Sequence, residues 1–231
     1  SNNSNPSLAK VGNTITLSFT ASTAIAIPTV TIAGHSASVS AGGSNAYTAT
    51  YTMVSGDVEG VIPFTINFSS TGGTSGTPVT STTNSSSVTF DKTVPAVSSI
   101  NRQSPGTNPT SASSLSFRVM FSENVSGVDL NDFTLATTGT VSGSIASVEV
   151  VTANSVYDVV ITGVSGEGTL GVHLNGSATG IADIAGNAIE AGFTSGQTFT
   201  LQQAAPTLTA VAISSNNSNP SLAKVGNTIT L

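Results

Sequence analysis

The sequence has no cysteine and no tryptophan, and only 7% of its 231 residues are charged. Without cysteine there is no disulfide framework and no thiolate metal site, and a surface protein is spared accidental cross-links. Nine Phe and three Tyr are the only aromatics. Cores must therefore be mostly Val, Ile and Leu around one or two Phe anchors. Cations are scarce as well: five Lys and Arg against eleven Asp and Glu give a formal net charge of −6. The five are scattered and form no basic stripe, which excludes nucleic acid as a partner. No apolar run approaches the roughly 18 residues needed to cross a bilayer, and no signal peptide is visible. Any targeting signal is expected outside these residues.

What is abundant is Thr, Ser, Val, Gly and Asn, a composition that favours strands joined by tight turns. The chain is organised by repetition. SNNSNPSLAKVGNTITL runs from Ser1 to Leu17 and recurs letter for letter from Ser215 to Leu231, a period of 214 residues. The chain therefore reads as one full repeat of a longer array followed by the start of the next copy.

Ile15, Leu17 and Phe19 alternate with Thr and Ser, which puts three apolar side chains on one face of a half-buried strand. The same period predicts strands over 29–32, 46–53, 62–68 and 88–90, separated by turn clusters at 40–44, 55–60 and 71–76. Pro95 cannot donate to a central ladder, so a boundary is expected there. A second set of about seven strands follows, over 97–100, 115–121, 133–136, 145–152, 156–162, 169–175 and 198–201. Short alternating strands with Gly and Ser turns at this spacing predict an all-β fold of two tandem β-sandwiches, 1–92 and 93–203. The remainder, 204–231, begins the next repeat. Its Thr207–Ile213 run reads as an opening strand like that at 97–100, and the first sandwich lacks a counterpart. An unpaired strand edge attracts a donor, so the 204–231 segment of one molecule is expected to complete the first sandwich of another, head to tail.

Three strings, Thr89-Phe-Asp-Lys-Thr-Val-Pro95, Leu115-Ser-Phe-Arg-Val-Met-Phe-Ser-Glu-Asn-Val125 and Ile181-Ala-Asp-Ile-Ala-Gly-Asn-Ala188, resemble the Ig-like modules of giant tandem-repeat bacterial surface proteins, such as large adhesins and biofilm-associated proteins. The resemblance covers nearly the whole chain as two modules. It implies two tandem Ig-like sandwiches, an extracellular location on a bacterial cell surface, neighbouring repeats of the same chain as partners, and a non-catalytic role, often with calcium at module junctions. In an Ig topology the candidate calcium ligands are Asp57 and Glu59 at one pole of the first module, Asp91 in the linker, and Glu123, Asp183 and Asn187 in loops of the second. Calcium takes six to eight oxygens, and these residues are expected to converge on the junction within the repeat. The corresponding loops of the first module, 22–27 and 69–74, carry no acid. That pattern predicts alternating stiff and flexible joints.

No other constellation points to chemistry. His35 sits in a Gly-Ser turn, His173 alternates with Val172 and Leu174 on a solvent face, and no Ser-His-Asp set is implied. Gly163-Val-Ser-Gly-Glu-Gly168 is followed by neither helix nor Lys and reads as a turn, not a phosphate loop. Asp129, Asn131 and Asp132 read as a capped turn before Phe133. The expected function is a non-enzymatic stalk or spacer of a long adhesin-type protein. The alternative is a sandwich that itself binds glycan or protein in cell adhesion. Sugar recognition usually uses exposed aromatic rings, whereas Tyr47, Tyr51 and Tyr157 fall in strand cores by periodicity.

Overall fold

The strand carrying Ile15, Leu17 and Phe19 finds its partner in the run with the same period, 46–52, in the antiparallel register Ile15↔Tyr51, Leu17↔Ala49, Phe19↔Tyr47. The computed structural model describes residues 1–152 and 154–231. In chain order the first half comprises β1 (Leu8–Ala9), β2 (Thr14–Thr20), β3 (Thr29–Ile32), β4 (His35–Ser36), β5 (Ser38–Ala41), β6 (Ala46–Thr52), β7 (Gly60–Val61), β8 (Phe64–Asn67) and β9 (Thr89–Phe90). These make three sheets, β2-β6-β5, β4-β3-β8 and β1-β9-β7, in which only the β1–β9 pairing is parallel. Two hairpins depend on residues with positive φ, Ala33-Gly34 between β3 and β4 and Ser44-Asn45 before β6. A two-residue loop with both φ positive matches the twist of the strands it joins. Ala33-Gly34 therefore folds His35 back beside Ile32, and His35 lies in a strand instead of the expected turn.

The second half comprises β10 (Val97–Ser104), β11 (Ser114–Phe121), β12 (Val125–Ser126), β13 (Phe133–Thr137), β14 (Ser142–Thr152), β15 (Val156–Ser165), β16 (Gly168–Leu174), β17 (Ala182–Asp183) and β18 (Thr198–Leu201). Its two large sheets run β10-β11-β15-β14 and β13-β16-β18. Leaving aside the two-residue β12 and β17, the strands of one sheet are first, second, fifth and fourth, and those of the other third, sixth and seventh. This is the A-B-E-D and C-F-G order of an Ig-like sandwich. The expected all-β, Ig-like class is what the chain adopts. A single 3₁₀ turn, Leu130–Asp132, is the one helical element among the described residues. It is closed by a capping box in which Asp132 accepts from the Asp129 amide (2.7 Å) and Asp129 from that of Asn131 (2.7 Å).

Two separate cores result. Ala9, Ile15, Val30, Ile32, Ala49, Met53, Ile66 and Phe90 form one; the other runs from Ile100 through Phe117, Val159 and Leu170 to Leu201. Both halves also use one device that alignment of periods does not reveal. Tyr47 stacks on Phe19 (5.6 Å) and donates to the Ile25 carbonyl, while Tyr157 meets Phe121 edge-on (5.7 Å) and donates to that of Val125.

The tail departs from expectation. Residues 207–213 join no ladder, because strand propensity is realised only against a neighbouring edge. Pairing starts one residue later, where β19 (Ser214–Ser215) runs antiparallel to β20 (Ile229–Thr230).

Candidate metal centre

The ladder between β12 and β17 sets Val125 opposite Asp183, which brings the β11–β12 loop with Glu123 beside Asp183. The third acid comes from the chain leaving β9. Asp91 donates its amide to the Ala9 carbonyl (2.9 Å), and its own carbonyl accepts from Asn187 Nδ2 (3.2 Å). Carboxylate oxygens of Asp91, Glu123 and Asp183 thus lie within 4.8 Å of one another. Asn187 holds Asp183 with both of its donors, amide to Oδ1 and Nδ2 to Oδ2, each at 2.8 Å. Buried Asp183 is therefore fixed in place.

No Lys or Arg forms an ion pair with these three acids among the described residues. The nearby lysines are engaged elsewhere: Lys10 Nζ donates to the Gly186 carbonyl, and Lys92 Nζ to those of Ser55 and Asp57 (2.8 Å each). Burial first, then the neighbouring carboxylates, push Glu123 up. Burial pushes Asp91 up as well, against a hydrogen bond from the Thr93 amide and with repulsion from Asp183 and Glu59. Raised carboxyls release their protons later in the folded chain than in the unfolded one. Stability is therefore lost as pH rises through that window, and a cation bound among the three would restore it. Three carboxylates offer up to six oxygens, a donor set that suits calcium with water completing the shell.

The other two candidate acids have different partners. Glu59 lies beside the cluster, but its carboxylate accepts from the Lys92 amide (2.7 Å) and Thr93 hydroxyl (2.9 Å), bonds that hold it below the usual range. Asp57 is turned away altogether. It is buried, accepts from the Val54 amide (2.8 Å) and Tyr51 hydroxyl (3.1 Å), and lies 3.1 Å from His35 Nε2, whose ring stacks on Tyr51 at 5.2 Å. Burial and the Asp57 carboxylate push the Tyr51 phenol up. Sequence reading missed this trio because it depended on recognising Ala33-Gly34 as a hairpin turn. Asp57→Ala is expected to cost about 1–2 kcal/mol, since it leaves the half-buried Tyr51 hydroxyl and the Val54 amide without the acceptor that ties them together; chemical denaturation of the full chain measures it.

The residues of this centre also join the halves. Asn3 Nδ2 donates to the Ala185 carbonyl (2.8 Å), Lys10 to Gly186, and Asn187 to Asp91. Contacts from three segments of the first half thus converge on the 183–187 loop. Neither contact is predicted by the sequence, in which Lys10 is considered only as an amine for an isopeptide staple that no motif supports.

The fold and this centre define an all-β, Ig-like chain with an acidic cluster where the segment after β9 meets the 122–125 and 183–187 loops. No family model and no curated protein matches the chain. Among solved structures it is similar to InvD of Yersinia pseudotuberculosis, at 15% identity over 91% of this chain and a TM-score of 0.40, spanning 60% of InvD's length. The D0-D1 domain of intimin follows at 18% identity, covering 81% of this chain and 94% of that one, with a TM-score of 0.28. Domains 5–6 of the S-layer protein SbsC give 19% identity, 79% and 92% coverage, and a TM-score of 0.19.

Proposed function

We propose that the chain is a structural repeat module of a long extracellular protein on a bacterial surface, contributing length and stiffness as a stalk or spacer. The supporting observation is the pairing of an exact 214-residue sequence period with two successive sandwich cores. Repeats of this kind add reach without new folds, and each contacts mainly its neighbours. All the Phe and Tyr residues are buried or half-buried; the lack of a fully exposed ring as a platform for a sugar favours the spacer over the glycan-binding alternative.

In this reading the module boundary falls at residues 92–93, and calcium held by Asp91, Glu123 and Asp183 stiffens the junction. A ligand present at about 100 times its dissociation constant adds about 2.7 kcal/mol to the state that binds it. Saturating calcium should therefore raise the melting temperature of the full chain at neutral pH, and chelator should reverse the gain. Glu123→Gln should abolish most of the response. If calcium changes neither the melt nor the scattering envelope, metal has no place in the account. The spacer reading is tested separately, by an extended scattering envelope together with a silent glycan array; a compact envelope or a specific glycan signal would reject it.

A further inference from the structure

Each half of the chain leaves its last strand through a run of the same length, closed by a proline. Phe90, the last residue of β9, is followed by Asp91-Lys92-Thr93-Val94-Pro95, and Leu201, the last of β18, by Gln202-Gln203-Ala204-Ala205-Pro206. The strand beside each exit opens on a Glu-Gly step. Gly60 of β7 lies opposite Phe90 and Gly168 of β16 opposite Leu201, and both glycines have positive φ, +115° and +137°. Glu59 and Glu167, one residue earlier, therefore stand just past the end of the ladder, where the departing chain begins.

Both carboxylates close on that chain in the same way. Glu59 Oε1 accepts from the Lys92 amide (2.7 Å) and the Thr93 hydroxyl (2.9 Å), and Glu167 Oε1 from the amides of Gln203 and Ala204 (2.6 Å each). The residue so bound also reaches back. Lys92 Nζ donates to the carbonyls of Ser55 and Asp57. Gln203 Nε2 donates to those of Ala112 (3.4 Å) and Val164 (3.2 Å), while its Oε1 accepts from the Gly166 amide (3.1 Å). An early segment of each half holds the other side of the exit: the Asp91 amide donates to the Ala9 carbonyl (2.9 Å) and the Gln202 amide to the Thr110 carbonyl (3.0 Å). Two halves with different loop sequences thus build one arrangement, position for position. A backbone amide donating to an ionised carboxylate makes a short bond, roughly twice as strong as a neutral one.

We propose that Glu59 and Glu167 are exit latches, each fixing the direction in which the chain leaves its half, so that the joint after the second half is held without metal. The acid-free loops of the first half predict a flexible joint there, but Glu167 reaches that joint from the half that precedes it. Beyond the latch little freedom remains. A residue before proline is pushed to extended backbone and the proline φ is fixed at about −65°, which restricts Ala205-Pro206 as it does Val94-Pro95. The consequence for a stalk rests on the spacer reading: both joints of each repeat resist bending when calcium is absent, and metal at Asp91, Glu123 and Asp183 reinforces only one of them.

Backbone NMR of the full chain reads the latch locally. The order parameter of Ala204 should be that of a rigid backbone, about 0.85, with calcium or with chelator alike. Glu167→Ala should lower it below about 0.6 and speed hydrogen exchange of the Gln203 and Ala204 amides at least about tenfold, while the amides of β18 keep their protection. Glu167 is exposed, and its carboxylate has no other hydrogen-bond partner among the described residues, so folding is not at stake. Glu59→Ala, in chelator, should speed exchange of the Lys92 amide by a similar factor. An Ala204 order parameter below about 0.6 in the parent chain, an alanine variant whose exit amides exchange as slowly as the parent's, or order that disappears with chelator would each overturn the proposal. Failure of the spacer reading shows elsewhere, in a compact scattering envelope, and does not move these local values.

Discussion

Truncating Phe117 to alanine should remove about 3–5 kcal/mol from the second half of the molecule and almost nothing from the first. Phe117 is fully buried on β11 and meets Phe199 of the opposite sheet edge-on, with ring centroids 5.3 Å apart at 76°. β11 is hydrogen-bonded on both sides, to β10 and to β15. Its backbone cannot move inward to fill the space, so most of the cavity persists, and residual cavity volume sets where in the range the cost falls. The two buried clusters share no residue, so the loss stays in one of them. At roughly 4–8 °C per kcal/mol for a unit of this size, calorimetry should show one transition lowered by on the order of 15–30 °C and the other in place. The mirror variant, Phe90→Ala, should lower the opposite transition. If both variants shift a single common transition, the division near Pro95 is wrong.

The strands that could be located by sequence were those whose side chains alternate strictly. Thr198–Leu201 lies where periodicity put it, and 115–121 and 156–162 gained only a few residues at their ends. Periodicity of this kind records burial on one face, and a strand of two residues has too few positions to express it. This is why β1, β4, β7, β12 and β17 escaped notice. β5 was lost for a different reason: Ser38–Ala41 overlaps a Ser and Gly stretch that resembles a turn, and pairing with β6, not composition, makes it a strand.

The candidate site was legible to the extent that topology fixes loops. Knowing that the loops at 122–124 and 183–187 share a pole was enough to bring Glu123, Asp183 and Asn187 together, and the linker then supplied Asp91. Side-chain direction lay beyond such a reading. Asp57 lies two residues from Glu59 in the same loop, yet its carboxylate turns inward to Tyr51 and the Val54 amide. A buried carboxylate is stable only where donors meet it; alternation puts Tyr51 on a strand face without showing that its hydroxyl reaches Asp57, and His35 joins them only because Ala33-Gly34 turns the chain back. The tail illustrates the converse. Its apolar alternation predicts an opening strand over 207–213, yet those residues join no ladder, because alternation specifies only that a segment can pair.

Gly168→Ala is the second substitution expected to be severe, at about 3 kcal/mol or more, and the reason is backbone crowding instead of lost apolar area. Gly168 has a φ of +137°, and a Cβ there would lie 2.2 Å from the Thr138 carbonyl oxygen. The neighbouring contacts are as close: a Cβ on Gly139 would lie 2.2 Å from the Glu167 oxygen, and one on Gly166 2.3 Å from that of Thr140. Two loops, 138–140 and 166–168, thus run main chain against main chain, tied by Thr140 N to the Glu167 carbonyl (2.9 Å) and Thr138 N to the Thr169 carbonyl (3.0 Å). These are backbone atoms on both sides, so no rotamer change can relieve the clash. Gly163 provides the comparison, since its φ is +64° but nothing lies within 4 Å of its would-be Cβ. Gly163→Ala should cost only the left-handed penalty, about 1–2 kcal/mol. Denaturant unfolding of both variants separates the two effects. Equal losses would mean that dihedral preference alone governs these glycines; a much larger loss at Gly168 would identify its glycine-rich run as the closure holding the β13–β14 and β15–β16 connections together.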